Sequence, residues 1–471
     1  MGKTIHFVSL GCAKNRVDTE VMLGVSDRSG YRLVDDASDA EVIVVNTCGF
    51  IGPAKEESIE TVLQMAAHKE EGTCETLVVA GCLSQRYSSE LAVEMPEVDH
   101  FLGSSDMLKL KAVLTRDELA TRAPRVLVGN PADYTLRATD PRIVSGGQHS
   151  VYVKIAEGCN RTCSFCAIPG IRGKQRSRPI DDVVREVQSL VDGGTQEVCL
   201  VSQDTIGFGR DLADRPDLAE LVAAVAEVPG LRWLRLHYLY PEKLRPQLIE
   251  LLREHPVVLP YIDMPLQHAA DPMLTRMRRG HGGERLYRVV ERLRTEVPDM
   301  VFRTTFIVGH PGETEADFAE LQRFVEWAEF DHVGVFLYSH EEDTRSGEMT
   351  DLVPEDVVQA RHEALMATQL PISRKKQAAF VGREVEVLVD GVSDESDFLM
   401  EGRHWGQAPD VDGKVYLANG QATAGQFRRA RIEAAADYDL VANLLDGEGA
   451  VDAPPGSEPS IQPRIRLKTL S

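Results

Sequence analysis

Three cysteines crowd into one short stretch, Glu157-Gly158-Cys159-Asn160-Arg161-Thr162-Cys163-Ser164-Phe165-Cys166. A loop this short can wrap three thiolates around one iron–sulfur cubane, and it offers no fourth thiol. One iron would then stay open, as a metal site that binds a substrate requires. A structural zinc site is the competing reading. Zinc commonly takes four protein ligands as two paired clips, and no second clip follows here. Cys199, inside the apolar run Val198-Cys199-Leu200-Val201, reads as a core thiol.

A second trio is spread along the chain. Cys12, Cys48 and Cys82 close the stretches Ser9-Leu10-Gly11-Cys12, Asn46-Thr47-Cys48 and Ala80-Gly81-Cys82. Each stretch ends an apolar, β-branched run of the kind that forms a buried parallel strand. In a parallel sheet the C-terminal strand ends share one edge, where loops form a ligand crevice. Gly11 and Gly81 precede two of the cysteines and Gly49 follows the third, so the backbone can approach a bulky group closely. Three thiolates meeting there would bind a second cluster, again with one iron open. Three unrelated buried thiols are the alternative, but equal placement on three successive strands argues against it. Cys74 lacks that placement and reads as an ordinary thiol.

The elements needed to position these groups are legible as alternating periodicities. Residues 1–120 alternate strands (5–10, 42–45, 77–80) with helices (such as 54–68), which predicts an α/β fold with a doubly wound parallel sheet. Residues 121–144 read as a connecting segment, with a short strand at 125–128. From 145 to 376 the alternation repeats about six times, with strands at 151–156, 197–202, 232–237, 260–264, 302–308 and 332–338. The helices between them include 180–192, 242–254, 283–296 and 315–328. Such units predict a full or partial β/α barrel with its chemistry at the C-terminal strand ends. Residues 377–447 change to short β pieces at 385–389, 399–402, 414–417 and 430–434, with a turn at Asp390-Gly391. That pattern predicts a small closed barrel resembling an oligonucleotide-binding fold. The tail, 448–471, is rich in Pro, Gly and Ser and predicts disorder.

Bulk properties agree with such an assembly. The chain has 471 residues, 43% of them hydrophobic, enough for about three domains. It contains no apolar run of membrane-spanning length. Its first residues enter a strand pattern without the features of a signal peptide, so the expected location is the cytoplasm. There the 8 cysteines would stay reduced and serve as ligands or core thiols rather than disulfides. The net charge of −22 disfavours phosphate backbones and favours basic proteins.

The Cys-x-x-x-Cys-x-x-Cys loop, with Phe165 before its last cysteine, resembles the radical S-adenosylmethionine (SAM) superfamily. The resemblance implies that Cys159, Cys163 and Cys166 hold three irons of a four-iron cluster and that SAM chelates the fourth. Electron transfer into the sulfonium would then give methionine and a 5′-deoxyadenosyl radical. With the N-terminal trio added, the chain through about residue 447 resembles the methylthiotransferases. That family combines an N-terminal domain with an auxiliary cluster on Cys12, Cys48 and Cys82, a radical SAM partial barrel, and a C-terminal TRAM barrel.

Of its two branches, one modifies a transfer-RNA adenosine and the other the β-carbon of an aspartate in small-subunit ribosomal protein twelve. This sequence resembles the latter in Ser9-Leu10-Gly11-Cys12-Ala13-Lys14-Asn15-Arg16-Val17-Asp18, Asn46-Thr47-Cys48-Gly49-Phe50-Ile51, Val201-Ser202-Gln203-Asp204-Thr205, Pro265-Leu266-Gln267-His268-Ala269 and Thr305-Phe306-Ile307-Val308-Gly309-His310-Pro311-Gly312-Glu313-Thr314. Ala13 stands where proline is usual and His310 where an aromatic is usual. The implied partners are ribosomal protein twelve, free or in the ribosome, and an electron donor such as flavodoxin or ferredoxin; no membrane is implied. The transfer-RNA activity, or a non-catalytic iron–sulfur protein in ribosome assembly, is the alternative.

Charge favours the protein substrate. Residues 377–448 hold 14 acidic and 6 basic side chains, suited to docking the body of a basic protein, with the substrate loop held between barrel mouth and cysteine edge. Arg428, Arg429 and Arg431 could hold RNA but read as a solvated face.

Weaker candidates complete the site. Phe165, Ser202, Gln203, Gly309 and Pro311 lie where a SAM pocket is expected. Lys14 and Asn15 are placed to donate hydrogen bonds to an auxiliary-cluster ligand. Arg172, Arg176 and Arg178 read as surface charges. His237 and His268 end barrel strands, as active-site or as core histidines. No catalytic residue beyond the cysteines is assigned.

Overall fold

The computed structural model describes residues 3–115, 123–241 and 244–445. The tail at 448–471 and the start of the helix expected at 242 lie outside the described residues.

The first sheet contains β1 (Thr4–Ser9), β2 (Arg32–Leu33), β3 (Val42–Thr47), β4 (Thr76–Gly81), β5 (His100–Leu102) and β6 (Val126–Leu127), in the order β2-β1-β3-β4-β5-β6. All pairings are parallel. Its strands are apolar on both faces because both are covered. Ile5, Phe7, Val42 and Val44 pack with helix α1 (Ala13–Arg28), and Val8, Ile43, Val45 and Leu77 pack with helix α2 (Gly52–Ala66) and Leu83. Each such side chain contributes roughly 1.5–3 kcal/mol when fully buried. The short strand of the connecting segment, β6, extends this sheet by pairing with β5.

The second sheet is built from β7 (Ser150–Lys154), β10 (Glu197–Val201), β11 (Trp233–Leu236), β12 (Val258–Asp263), β13 (Val301–Val308) and β14 (His332–Leu337). Their order, β14-β13-β12-β11-β10-β7, follows the chain and leaves both edges open, so the β/α barrel is partial. A two-stranded ladder, β8 (Ala156–Glu157) with β9 (Arg176–Ser177), brackets the three-cysteine loop. Amphipathic helices at Ile180–Asp192, Gly283–Glu296 and Glu315–Ala328 cover the outside. No helix among the described residues is long and apolar enough to cross a membrane.

The C-terminal strands β15 (Glu384–Ser393), β16 (Ser396–His404), β17 (Val415–Asn419), β18 (Phe427–Ala435) and β19 (Leu440–Leu444) close a barrel in the order β15-β16-β17-β19-β18. The turn expected at Asp390-Gly391 does not form. β15 runs through it to Ser393, and the register against β16 shifts between Val389 and Gly391. Gly391, at φ +146, marks a bulge rather than a chain reversal.

This barrel caps the end of the partial barrel where the strands begin. Trp233 and Val301, the first residues of β11 and β13, share an apolar cluster with Leu388, Ala408 and Phe427. Glu197, first in β10, pairs with Arg403 at 2.7 Å.

Candidate functional site: two thiol trios facing across a domain junction

The strand order of the first sheet reverses between β1 and β3, the point where open α/β sheets form their ligand crevice. Cys12 and Cys48 follow those two strands, and Cys82 follows β4. Cys12 is the N-cap of α1, and Cys82 opens the helix Cys82–Glu94. Both sulfurs therefore sit at helix N-termini, whose partial positive charge favours thiolate. Gly11 has φ +87, and a Cβ there would lie 2.9 Å from the Cys48 Cβ; Gly81 has φ +98, and a Cβ would lie 2.3 Å from Asn46 Oδ1. A side chain at Gly11 would crowd Cys48, and one at Gly81 would collide with Asn46 and the Thr47 backbone just before Cys48.

Electrostatics divides the trio. Cys12 opens onto the cleft. Burial works against its ionisation, but the Lys14 ammonium and Arg172 guanidinium bring its pKa below the ordinary thiol value. Cys48 is pushed up to about 12 by burial and by the sulfurs of Cys82 and Cys12. Burial also raises Cys82, against the pull of Arg172. Cys12 raises both of the other thiols and Cys82 raises Cys48, so the trio is an all-sulfur donor set whose repulsion a cationic iron–sulfur core would relieve. Among the described residues, no three His, Cys, Asp or Glu side chains close around a single metal ion.

The second trio follows β8. Gly173 accepts the Cys159 backbone N–H at 3.1 Å, and Met277 that of Ser164 at 3.1 Å. Arg279 Nη1 donates to Cys163 Sγ at 3.3 Å. Burial pushes Cys159 up to about 11 and Cys166 up to about 12. The trios face one another: Cys82 shares a small buried cluster with Ala167, next to Cys166, and with Ile171 one helical turn on.

The SAM-pocket candidates ring this loop unequally. Gln203, at the end of β10, donates to Glu157 Oε1 at 2.6 Å, and its own Oε1 is buried without a partner, as is Oδ1 of neighbouring Asp204. Two orphaned acceptors beside the loop suit a ligand rich in N–H and O–H donors. Phe165 is half-buried against Met273, Met277 and Ile307. His310, which precedes buried Pro311, reaches Ser346 Oγ at 2.7 Å, and Ser346 reaches Ser164 Oγ at 2.8 Å, tying the Gly309-His310-Pro311 turn to the loop. Ser202 offers nothing outward, since its buried hydroxyl lies 3.1 Å from Thr205 Oγ1. At Gly309 a Cβ would meet Val358 at 2.4 Å, so that position serves packing against the helix Glu355–Ala378.

Residues 4–103 match the uncharacterized protein family UPF0004, residues 153–325 the radical SAM superfamily, and residues 381–445 the TRAM domain. The chain is 62% identical over 452 residues to the ribosomal protein uS12 methylthiotransferase RimO of Sorangium cellulosum (strain So ce56), covering 95% of this chain and 92% of that protein. The RimO proteins of Myxococcus xanthus (strain DK1622) and Anaeromyxobacter sp. (strain K) are 48% and 47% identical. Each match covers 94% of this chain, and 92% and 94% of the respective relatives.

The chain belongs to the ribosomal protein uS12 methylthiotransferase family.

The fold of the methylthiotransferase is also similar to that of TsrM, a radical SAM methyltransferase from Kitasatospora setae solved with cobalamin and a [4Fe-4S] cluster bound. Their TM-score is 0.53 at 16% identity, over 74% of this chain and 77% of that one. As a radical SAM enzyme, the methylthiotransferase is expected to use SAM and a four-iron cluster.

Several expectations need correction. Arg172 and Arg178, read as surface charges, are each 1% exposed, and only Arg176 is half-buried. Arg178 holds Asp182 and Glu186, and Arg172 reaches from Glu157, just before the radical loop, to Cys82. The Asn15 side chain donates to backbone oxygens of Leu10 and Thr47 and its Oδ1 accepts from Cys82 at 3.6 Å; it is the backbone N–H groups of Lys14 and Asn15 that favour the Cys12 thiolate. The Lys14 ammonium lies 3.3 Å from the centre of the Tyr238 ring and acts on Cys12 through charge. His268 is a satisfied core histidine, with Glu313 Oε1 at 3.1 Å and the Ala270 N–H at 3.0 Å. At His237 one ring nitrogen faces Asp263 at 3.4 Å, and Nε2 is buried without a partner. Arg429 and Arg431 share Glu384 on the solvated face.

Sequence reading missed Tyr238 and Tyr240. Their signal was the strand-end logic that selected His237. Tyr240 lies between two cations, with the guanidinium carbons of Arg161 at 3.8 Å and Arg279 at 4.2 Å from its ring centre.

Proposed function

We propose that this methylthiotransferase inserts a methylthio group at the β-carbon of one aspartate in a loop of ribosomal protein uS12. The observation that carries the reading is the 62% identity, over nearly the whole chain, to a relative named for that substrate. Cys159, Cys163 and Cys166 would hold the four-iron cluster that SAM completes, and Cys12, Cys48 and Cys82 a second one. When bound, these groups supply one-electron hydrogen abstraction at the first trio and an open iron for the inserted sulfur at the second.

The chain's own residues arrange the rest. Gln203 and Asp204 present buried acceptors to SAM beside the loop. Lys14 and Arg172 offset thiolate charge at the N-terminal trio. The buried Cys82–Ala167–Ile171 contact packs the first domain against the segment that follows the radical loop. The working units are residues 1–120, 145–376 and 377–447, with 121–144 as connector.

The C-terminal barrel, capping the far end from the thiols, would attract the basic substrate at long range and hold its body, rather than line the reaction site. On this reading the enzyme works in the cytoplasm and takes its electrons from a small donor protein such as flavodoxin or ferredoxin.

The test is to incubate anaerobically reconstituted enzyme with purified uS12 and with transfer RNA, and to weigh both. One added methylthio group on uS12 is expected. Its appearance on the RNA alone would replace this reading with the transfer-RNA activity.

A further inference from the structure

One buried side chain links the N-terminal trio to the strand that leads into the radical loop. Arg172 ends the short helix Ile168–Arg172, a few residues after Cys166, and is 1% exposed. Its Nη2 donates to Asn15 Oδ1 at 2.5 Å and lies 3.3 Å from Cys82 Sγ. Its Nη1 donates to Asp18 at 2.9 Å and to Glu157 at 3.1 Å. Lys154 closes the ring, 2.5 Å from both Asp18 and Glu157. Asn15 and Asp18 belong to α1 of the first domain. Lys154 and Glu157 belong to the partial barrel, and Glu157 stands two residues before Cys159.

Two cations and two carboxylates, all buried, thus neutralise one another across the domain junction. A ring of this kind holds only when complete, because removing one member leaves an uncompensated buried charge. The planar guanidinium is the member whose fork of donors reaches a sulfur as well as both carboxylates. A charge-assisted N–H···S contact draws electron density from a thiolate, and hydrogen bonds to ligand sulfurs are among the features that set cluster potentials. Arg279 does the corresponding thing for Cys163, but from within the same domain. Arg172 follows the radical loop and yet serves the other trio.

We infer that Arg172 is a positioning residue through which the barrel sets the reduction potential of the N-terminal thiol site, so that this site reaches its working charge only when the two domains are docked. The inference rests on the reading of Cys12, Cys48 and Cys82 as cluster ligands.

The experiment compares wild type, Arg172→Lys, Arg172→Gln and Arg142→Gln after anaerobic reconstitution. Iron and sulfide are counted, and the midpoint of each cluster is followed by redox titration with electron paramagnetic resonance. Lysine keeps the charge that Asp18 and Glu157 require and so guards the fold. Arg142 bridges Glu20 and Glu186 across the same junction and touches no thiol. The N-terminal midpoint should move to more negative values in Arg172→Lys and further in Arg172→Gln, with the radical-site midpoint unmoved and both unmoved in Arg142→Gln. An unshifted N-terminal midpoint in both Arg172 variants overturns the inference. An equal shift in Arg142→Gln also overturns it, by assigning the effect to docking alone. Wild type with a single cluster would instead end the two-cluster reading.

Discussion

The two thiol trios solve one problem in opposite ways. The radical loop gathers Cys159, Cys163 and Cys166 within a few residues, and local chain geometry does the rest. The N-terminal trio is scattered over three βα units, and only the strand order of the sheet brings Cys12, Cys48 and Cys82 to one edge. Their surroundings differ as well. The scattered trio has Lys14 and Arg172 against it and contains the one thiol of the six shown with a lowered pKa, Cys12. In the loop, burial dominates and pushes Cys159 and Cys166 up. A local site is therefore robust to the rest of the molecule, and a topological one depends on neighbouring domains.

The strongest way to break this contrast is at the loop. Replacing Cys159, Cys163 or Cys166 singly by alanine should abolish cleavage of SAM to 5′-deoxyadenosine, measured by chromatography, because no spare thiol stands nearby. Cleavage at the wild-type rate in any of the three would remove that cysteine from the site.

A second probe uses the opposite end of the barrel. Arg403 is buried between Asp390, at 2.8 Å, and Glu197, at 2.7 Å. Arg403→Ala leaves Glu197 with Arg235 and Asp390 with His149 but removes the buried cation the two share, and should cost about 3 kcal/mol, read as a lower denaturation midpoint. Cleavage per folded molecule should be unchanged, since this contact is remote from both trios. A loss of cleavage as large as the cysteine variants give would show that the two ends of the barrel are not separable.

The smallest effect concerns pH. Burial, then the charges of His332 and Arg235, hold His404 down at about 3, against about 6.5 when unfolded. The folded state keeps it neutral, so between those values the unfolded state binds the extra proton. Its contribution is present above pH ~6.5 and is lost as pH falls below it, by up to about 2 kcal/mol at pH 5. Unfolding titrations across that range should show the decline, and His404→Gln should flatten it.

Much of this was legible because the relevant signals are short-range. The runs before Cys12, Cys48 and Cys82 are apolar on both faces and end in glycine-flanked turns, which fixes both the strands and the edge they share. The helices Ile180–Asp192, Gly283–Glu296 and Glu315–Ala328 carry clean amphipathic stripes and were read to their bounds. What failed depends on partners far along the chain. Arg172 has the composition of a surface residue, and only the meeting of α1 with the barrel buries it. Asp390-Gly391 has the composition of a turn, but β15 must bend there against β16, and glycine supplies the bulge. The strand β19 was missed because its fifth-strand role is fixed by closure of the barrel, not by a strong pattern of its own.

Iron counting in two triple variants tests the central claim that the trios are separate sites. Cys12→Ala/Cys48→Ala/Cys82→Ala and Cys159→Ala/Cys163→Ala/Cys166→Ala should each retain about half the wild-type iron after reconstitution, with SAM cleavage surviving only in the first, because each cluster keeps all its own ligands. Full iron in either variant, or none in either, would contradict it.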